Sequence, residues 1–351
     1  MNRAHPAGRP TGLDTAAQAL ESPEVSFVTP AYAAEDTLAA ALDKLLAQRT
    51  SRSFEVIVVD DGSPDRSAAV ADTYAQRDPR VQVLRKPNGG EASALNEGFR
   101  AARGRYVAIV EADVEAAPDW LERCLAVLEA EPTVWAVGGY LETPPDDPWI
   151  ARLAGYEIER KFASKPREAK HLTSANVVYR REAFDTAGPF DERLLNASLD
   201  SVFNAGLLKS GKRLVYEPEA RVRHHYKTTL TGYLRRQYAY ARYRVHNDVL
   251  DLYPADRFLA LHVALGALGA GAFALVPLAP FAPPPLNLLC LTAGPSLLGL
   301  ALLFQTPRAL ALLIERRDPA ALLYPSVVVT RNVVGAVGYA VGVAAKALGR
   351  T

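Results

Sequence analysis

Two adjacent carboxylates, Asp60 and Asp61, follow a mostly apolar run at 54–59 and precede Gly62 and Ser63. The run is rich in β-branched side chains and predicts a buried strand. Acids at the carboxyl end of such a strand face the edge where open α/β sheets bind ligands. Neighbouring carboxylates repel each other unless a cation or hydrogen-bond donors lie between them. The pair is therefore predicted to bind a nucleotide or a metal ion, with a helix-capping turn as the alternative.

Further candidate ligand-binding residues follow three other predicted strands. They are Pro30 and Tyr32 after 25–29, Asn88 and Gly90 after 81–84, and Glu111 and Asp113 after 106–110. Strand patterns alternate with helical patterns from 25 to 139, which predicts an α/β fold with a mostly parallel sheet and helices on both faces. The carboxyl ends of such strands converge on one crevice. Carboxylates there suit a nucleotide diphosphate with Mg²⁺, which prefers few carboxylates plus phosphate oxygens.

The sequence also argues against several other kinds of site. It contains neither a G-x-G-x-x-G nor a Walker A pattern, which disfavours dinucleotide binding and P-loop chemistry. The net charge of +1 argues against a nucleic-acid partner. Cys124 and Cys290 are too far apart to suggest a disulfide framework or a metal-binding pair. Residues 1–22 lack an apolar core, so a disordered tail is expected rather than a signal peptide.

The last hundred residues differ in character from the rest of the chain. Three segments there, at 258–280, 286–306 and 322–345, have almost no charged residues. Each is long enough to cross a bilayer as a helix, and membrane helices tolerate the glycines and prolines inside them. Buried hairpin helices of a soluble protein are the alternative. The segments predict about three transmembrane helices.

The charges between these segments predict their orientation. Arg308, Arg316 and Arg317 lie in the second connection, so the positive-inside rule makes that connection cytoplasmic. The N-terminal domain would then be cytoplasmic, and the protein a multi-pass protein of the cell membrane. Three spans would leave the C-terminus outside, against which Lys346 and Arg350 argue. The third segment could instead be re-entrant or lie in the interface.

Several tyrosines and arginines lie close together at 228–256, directly before the first apolar segment. This combination is typical of helices in the membrane interface. Membrane lipids with anionic head groups are the expected partners. A solvated cationic helix face is the alternative.

The pattern N-x-G-x-x-x-A-x-N-x-G begins at Asn88, and A-x-G-x-Y follows it from Ala102. Together with the acid pair after the second strand, these patterns resemble family 2 glycosyltransferases with a GT-A fold, over about 25–244. The resemblance implies a nucleotide-diphosphate sugar donor, a divalent cation (Mg²⁺ or Mn²⁺) and inversion at the anomeric carbon. The chain would comprise a tail at 1–22, a GT-A domain at 23–227, interfacial helices at 228–256 and a membrane domain at 257–351.

The resemblance also implies site residues. The expected nucleotide-sugar contacts are Pro30, Tyr32, Asp60, Asp61, Asn88, Gly90, Glu111 and Asn176. Asp113 is the expected metal ligand, and Glu111 replaces the aspartate usual at the first position of the family's D-x-D motif. His224 is the second expected metal ligand, with a surface histidine as the alternative. For Tyr32 the alternative is core packing.

The expected catalytic base is Asp200. The family usually has a Glu-Asp pair at this register, and here the pair is Leu199-Asp200. An inverting transfer needs one carboxylate to take the proton of the acceptor hydroxyl. The missing glutamate could alter acceptor choice or mark a degenerate, non-catalytic membrane scaffold.

The predicted function is transfer of a sugar to a lipid, lipid-linked or cell-envelope glycan acceptor at the cytoplasmic membrane face. The Q-x-x-R-W signature of processive synthases is missing from the segment after residue 236, which favours addition of a single sugar. A polyprenyl-phosphate glycosyl synthase is the alternative enzyme. Its acceptor is already an anionic phosphate, so a base would be needed less.

Overall fold

The computed structural model describes residues 23–163, 165–194, 199–226, 229–243 and 257–349. The tail predicted at 1–22 lies outside these residues. So do residues 244–256 of the segment predicted to be interfacial.

The chain divides into two compact units. The first comprises the described residues up to Leu141, with Lys165–Glu192 and Gly206–Arg223. The second comprises Glu142–Ser164, Arg193–Ala205 and the described residues from His224 onward. Parts of the predicted 23–227 domain therefore group with the C-terminal helices, because one of its helices packs against them.

A mixed sheet forms the centre of the first unit. Its strands are β1 (Val25–Ala31), β2 (Phe54–Asp60), β3 (Val81–Arg85), β4 (Tyr106–Ile109), β5 (Val114–Ala116), β6 (Val134–Glu142), β7 (Glu168–Ala169), β8 (Val177–Arg180) and β9 (Arg213–His224). Their spatial order is β3-β2-β1-β4-β8-β6-β9-β5, with β7 paired to β9. β1 to β4 are mutually parallel, whereas β8 runs antiparallel to both β4 and β6. The α/β class is confirmed, and the parallel arrangement is found among the first four strands.

The described helices alternate with these strands and continue beyond them. They are α1 (Leu38–Leu46), α2 (Ser67–Arg77), α3 (Glu91–Ala101), α4 (Trp120–Ala130), α5 (Trp149–Ala163), α6 (Glu182–Ala187), α7 (Leu199–Lys209), α8 (Leu230–Tyr243), α9 (Arg257–Phe273), α10 (Leu286–Arg316) and α11 (Tyr324–Ala347). Buried leucines at helical spacing on α1, and the buried Trp120 on α4, pack into the core of the first unit. β1 and β2 are buried along their whole lengths, as expected for parallel strands covered on both faces.

The spaced asparagine and glycine pattern serves packing around α3. A Cβ on Gly98 would lie 2.3 Å from Cγ1 of Val28, so only glycine lets α3 approach β1 this closely. The Asn96 side chain accepts a bond from the Phe190 amide at 2.8 Å and donates to Glu192 at 2.9 Å. These two residues of the pattern therefore position α3, with no ligand contact required of them.

In the second unit, α5 packs with the C-terminal helices around one apolar cluster. The fully or largely buried members include Ile150, Leu153, Tyr156, Tyr226, Tyr233, Leu312, Tyr324, Val327 and Val328. Arg152 Nε donates to Asp318 at 2.8 Å, and Glu159 and Glu157 pair with Arg316 and Arg331. The charged face of α5 is thereby matched to the C-terminal segment.

Two stretches of the described chain are long and apolar enough to cross a membrane, judged by length and composition. They are Leu286–Arg316 and Pro319–Ala347. The first predicted span, 258–280, is not one continuous α-helix. Its α-helix ends at Phe273, and a 3-10 segment follows over Val276–Phe281. Pro277 and Pro280 in that segment cannot donate α-helical hydrogen bonds.

Candidate active site

The loops after β1 and β2 are joined at the carboxyl edge of the sheet. Ala31 pairs with Asp60 in register, and the Asp61 amide donates to the Ala31 carbonyl at 2.9 Å. The Ala33 amide donates to Ser63 Oγ at 3.3 Å. Pro30 is buried within β1, whereas the Tyr32 side chain is 53% exposed. The core-packing alternative for Tyr32 is therefore wrong, and its ring is accessible to a ligand.

The two aspartates after β2 have different surroundings. Asp61 Oδ1 accepts from the Gly89 amide at 2.9 Å and from Lys86 Nζ at 2.5 Å, and its Oδ2 accepts from the Gly90 amide at 2.8 Å. Both oxygens thus hold the turn at 86–90, in which Asn88 is exposed. Asp60 accepts from the Ser63 amide at 3.3 Å. Asp61 organises the turn, and Asp60 is the acid of the pair with more capacity for a ligand.

Gly62 allows this turn to approach the acid pair. Its φ of 68° lies in the left-handed region that favours glycine. A Cβ at this position would lie 2.8 Å from the Asn88 backbone nitrogen. The D-D-G-S sequence therefore needs its glycine for both conformation and space.

Three predicted site residues meet between β4 and the end of β9. One ligand atom each from Glu111, Asp113 and His224 lies within 4.8 Å of the others. The two acids occupy the turn that leads into β5, and β9 is the neighbour of β5 in the sheet and ends at His224. His224 is buried, and its ring centroid is 4.2 Å from that of Tyr226. The surface-histidine alternative is therefore wrong.

The donor atoms of this trio, which we call the acid–histidine cluster, fit a divalent cation. Carboxylates are the usual ligands of Mg²⁺ and Mn²⁺, and imidazole is a ligand of transition metals. The arrangement therefore has the chemistry of a divalent metal site built from residues distant in sequence.

Asn176 differs from its expected role. Its side chain is fully buried. Its Oδ1 accepts from Trp120 Nε1 at 2.6 Å and from the Gly139 amide at 3.2 Å, and its Nδ2 donates to the carbonyls of Tyr140 at 3.1 Å and Ala220 at 3.3 Å. With every donor and acceptor position used inside the protein, Asn176 cannot also bind a sugar. The prediction of a direct sugar contact is corrected to a structural one.

Asp200 lies in the first turn of α7, where it is half-buried. Its Oδ1 accepts from the Ser201 amide at 2.7 Å. It belongs to the second compact unit, and residues 195–198 before it lie outside the described chain. Its role as the catalytic base stays a prediction.

Comparison with known proteins decides the family. The family model described as "Glycosyl transferase family 2" matches residues 26–188, which include both acid motifs and Asn88. Residues 26–188 form a glycosyl transferase family 2 domain. This domain covers β1 to β8 and ends just after α6.

Relatives and a solved structure agree with this assignment. The Bacillus subtilis protein described as uncharacterized glycosyltransferase EpsJ is 29% identical over 62% of this chain and 68% of its own length. The glucosyl-dolichyl phosphate glucuronosyltransferase of Haloferax volcanii is 27% identical over 57% of this chain and 69% of its own. The mannosyltransferase PcManGT of Pyrobaculum calidifontis, solved with GDP-Man and Mn²⁺, matches 92% of this chain and 88% of its own with a TM-score of 0.57 at 21% identity. The last likeness concerns the fold, and the predicted GT-A fold is confirmed.

Sequence reasoning missed two polar residues that contact the candidate site. Ser174 Oγ lies 2.7 Å from Glu111 Oε1 and 3.1 Å from Glu91 Oε1. Lys86 pairs with Asp61. Ser174 stands two positions before Asn176, an expected nucleotide-sugar contact. The sequence therefore indicated this part of the chain but not the contact of Ser174 with Glu111.

Proposed function

We propose that the chain transfers a sugar, with inversion, from a nucleotide-diphosphate sugar to a lipid or lipid-linked glycan acceptor at the membrane. The observation that carries this proposal is the acid–histidine cluster. Its two acids follow β4, and β4 lies next to β1 in the sheet. Ligands of open α/β sheets bind outside the carboxyl ends of such strands. The exposed ring of Tyr32 and the carboxylate of Asp60 would contact the base and ribose at that edge.

Glu111, Asp113 and His224 would hold the divalent cation. Two carboxylates with one imidazole favour Mn²⁺ over Mg²⁺, which prefers all-oxygen ligands. When bound, such an ion neutralises charge on the leaving diphosphate. The turn held by Asp61 presents the backbone of 86–90 beside the acid pair, and α3 begins directly after it. Helix N-termini favour phosphate groups, so this turn would face the diphosphate.

Asp200 would act as the base. An acceptor hydroxyl becomes a stronger nucleophile as its proton passes to a positioned carboxylate, typically with a gain of about 10²–10⁴ in rate. Asp200 lies half-buried in the first turn of α7, and it is the acid at the register where the family has its Glu-Asp pair.

The acceptor is proposed to be lipid-linked because of the C-terminal helices. α10 exposes many large apolar side chains, including Leu288, Leu303 and Ile314. A membrane surface would concentrate a lipid-linked acceptor near the site, which raises its effective concentration. The name of the Haloferax relative, which specifies a dolichyl-phosphate-linked glucose, supports an acceptor of this class.

A second enzyme function, synthesis of a polyprenyl-phosphate sugar, is favoured by Leu199. The glutamate usual beside Asp200 is missing, and an anionic phosphate acceptor needs no base. Substitution of Asp200 separates the two functions. Asp200→Asn should abolish transfer to a hydroxyl, whereas transfer to a phosphate should persist within a few-fold.

The test uses membranes that contain the full-length protein, a panel of radiolabelled nucleotide-sugars and lipid extraction. We expect one donor to label the lipid fraction in a Mn²⁺-dependent manner, with loss of label on adding a chelator. Asp113→Asn should lower labelling by about 100-fold or more, because a ligand of the cation is lost.

The matched control is Asp119→Asn, which changes an exposed aspartate paired with Arg123 on α4 and should leave labelling unchanged. Mn²⁺ binding without transfer or donor hydrolysis for any donor would overturn the enzyme proposal and support a non-catalytic membrane scaffold.

A further inference from the structure

One hydroxyl lies between two glutamates beside the acid–histidine cluster. Ser174 is 6% exposed, and its Oγ is 2.7 Å from Oε1 of Glu111 and 3.1 Å from Oε1 of Glu91. A serine hydroxyl carries a single proton. The shorter distance makes Glu111 its main acceptor, and Glu91 shares the same hydroxyl.

We propose that Ser174 is a positioning residue that aims the Glu111 carboxylate into the acid–histidine cluster. The inference rests on the proposed function, since it concerns the residues that would hold the cation. A glutamate at this position of the motif has one more rotatable bond than an aspartate, so its carboxylate has more orientations to lose on binding. The hydroxyl fixes the Oε1 end of this carboxylate, which lies beside Asp113 and His224.

Ser174 is itself rigidly held. The Asn176 amide donates to the Thr173 carbonyl at 3.1 Å, which closes a turn around the serine. The Asn176 side chain then anchors this turn to Trp120 and to the backbone of β6 and β9. The four bonds of Asn176 therefore serve to present the hydroxyl of Ser174 two residues earlier.

The same hydroxyl connects the cluster to the nucleotide side of the site. Glu91 is the first residue of α3 and follows Gly90, whose amide donates to Asp61. A continuous path thus runs from Asp61 through Gly90 and Glu91 to Ser174 and Glu111.

The test measures Mn²⁺ binding to the purified full-length protein in detergent, by the electron paramagnetic resonance signal of free Mn²⁺ and with no donor present. Ser174→Ala should raise the Mn²⁺ dissociation constant by about 10-fold or more, the range found when a partner of a metal ligand is removed. Ser174→Thr keeps the hydroxyl and should stay within about 3-fold of the natural protein.

Two controls separate positioning from misfolding. Ser210→Ala removes a distant exposed serine, whose hydroxyl donates to the Gly206 carbonyl, and should not change Mn²⁺ binding. Thermal unfolding without metal should be the same for Ser174→Ala and Ser174→Thr. In a Glu111→Ala background, which removes the acceptor of the Ser174 hydroxyl, the further effect of Ser174→Ala should disappear, because the two residues act through one contact.

The outcomes distinguish the two proposals. Normal Mn²⁺ affinity in a folded Ser174→Ala protein overturns the positioning role while leaving the metal site intact. An effect of Ser174→Ala that persists undiminished in the Glu111→Ala background overturns it as well. Failure of the natural protein to bind Mn²⁺ at all would instead overturn the metal assignment on which the proposed function depends.

Discussion

At the scale of single residues, two asparagines with similar sequence signals have opposite surroundings. Asn176 is fully buried with four hydrogen bonds, whereas Asn88 is exposed in the turn at 86–90. Asn176→Ala would leave the Trp120 ring nitrogen and the Gly139 amide buried without an acceptor. Each such group costs about 1–3 kcal/mol. We expect the unfolding temperature in detergent to fall by about 5–10 °C, as measured by a fluorescence thermal melt.

Asn88→Ala is the matched control and should shift the melting temperature by no more than about 1 °C. If Asn176→Ala melts at the normal temperature but binds the donor more weakly, Asn176 contacts the sugar and the structural role is wrong.

The difference between these residues also explains which site residues are predictable. Asp60, Asp61 and Asp113 follow strands whose apolar patterns are local, so their place at the sheet edge can be read from the sequence. Asn176 bonds to the side chain of Trp120, and Ser174 to that of Glu111, each more than fifty positions away. Nothing local in the sequence indicates such contacts, so the choice between a ligand and a structural bond had to come from the fold.

At the scale of elements, α5 is attached to the C-terminal segment through Asp318. Arg152 donates to both oxygens of Asp318, at 2.8 and 3.0 Å, and Tyr156 donates a third bond at 3.0 Å. The hydrogen-bonded Arg152 guanidinium holds the pKa of Asp318 below its usual value of 3.8, although burial opposes this shift. The folded carboxyl thus binds its proton less readily than the unfolded one, so the pair stabilises the fold at pH above about 3.8 and loses that effect as the pH falls further.

Asp318→Asn should therefore lower stability by about 1.5–3 kcal/mol at pH 7, the range for hydrogen bonds to charged groups. Melts of both proteins at pH 7, 5 and 3 should show a constant difference at the first two values and a smaller one at pH 3. Asp119→Asn, which breaks an exposed pair on α4, should have almost no effect at any pH. Equal melting temperatures of Asp318→Asn and the natural protein at pH 7 would show that the other contacts of α5, its apolar cluster and its pairs with Arg316 and Arg331, are enough to hold it.

The bounds of individual elements were predictable, whereas their association was not. β1 and β2 begin at the predicted residues and extend one or two residues further, because apolar β-branched runs indicate strands directly. α9 ends at Phe273 because two prolines follow it. A prediction of membrane spans from hydropathy alone does not take these prolines into account. The pairing of α5 with Asp318 joins residues about 160 positions apart, and only the folded chain reveals it.

At the scale of the whole molecule, the surroundings of α11 bear on how many segments cross the membrane. Its Arg331 pairs with Glu157 of α5, and both side chains are largely buried. A Cβ on Gly338 would lie 2.5 Å from the Tyr238 carbonyl, so α8 packs closely along α11. α8 carries Arg235, Arg236 and Arg242. Charged side chains of this number are unfavourable in the hydrocarbon core, so the middle of α11 is expected to lie outside it.

α10 has the opposite surroundings, because large apolar side chains cover much of its exposed surface. α9 packs against it, and the apolar 3-10 segment after α9 extends their hairpin to Phe281. We therefore predict that α9 and α10 cross the membrane as a pair. α11 would lie in the interface, with the exposed apolar side chains of its second half, such as Val337 and Val343, directed into the lipid.

This arrangement predicts the side of the C-terminus. Two crossings return the chain to its starting side, so a reporter fused after residue 351 should lie on the same side as one inserted beside Arg317. Lys346 and Arg350 would then share that side with Arg316, in agreement with the positive-inside rule. Fusions to a reporter that is active on only one side of the membrane measure this directly, with an insertion in the proline loop at 283–285 as the opposite-side control. Opposite activities for the C-terminal and Arg317 fusions would mean that α11 crosses the bilayer, and its pairing of Arg331 with Glu157 would then have to be buried at membrane depth.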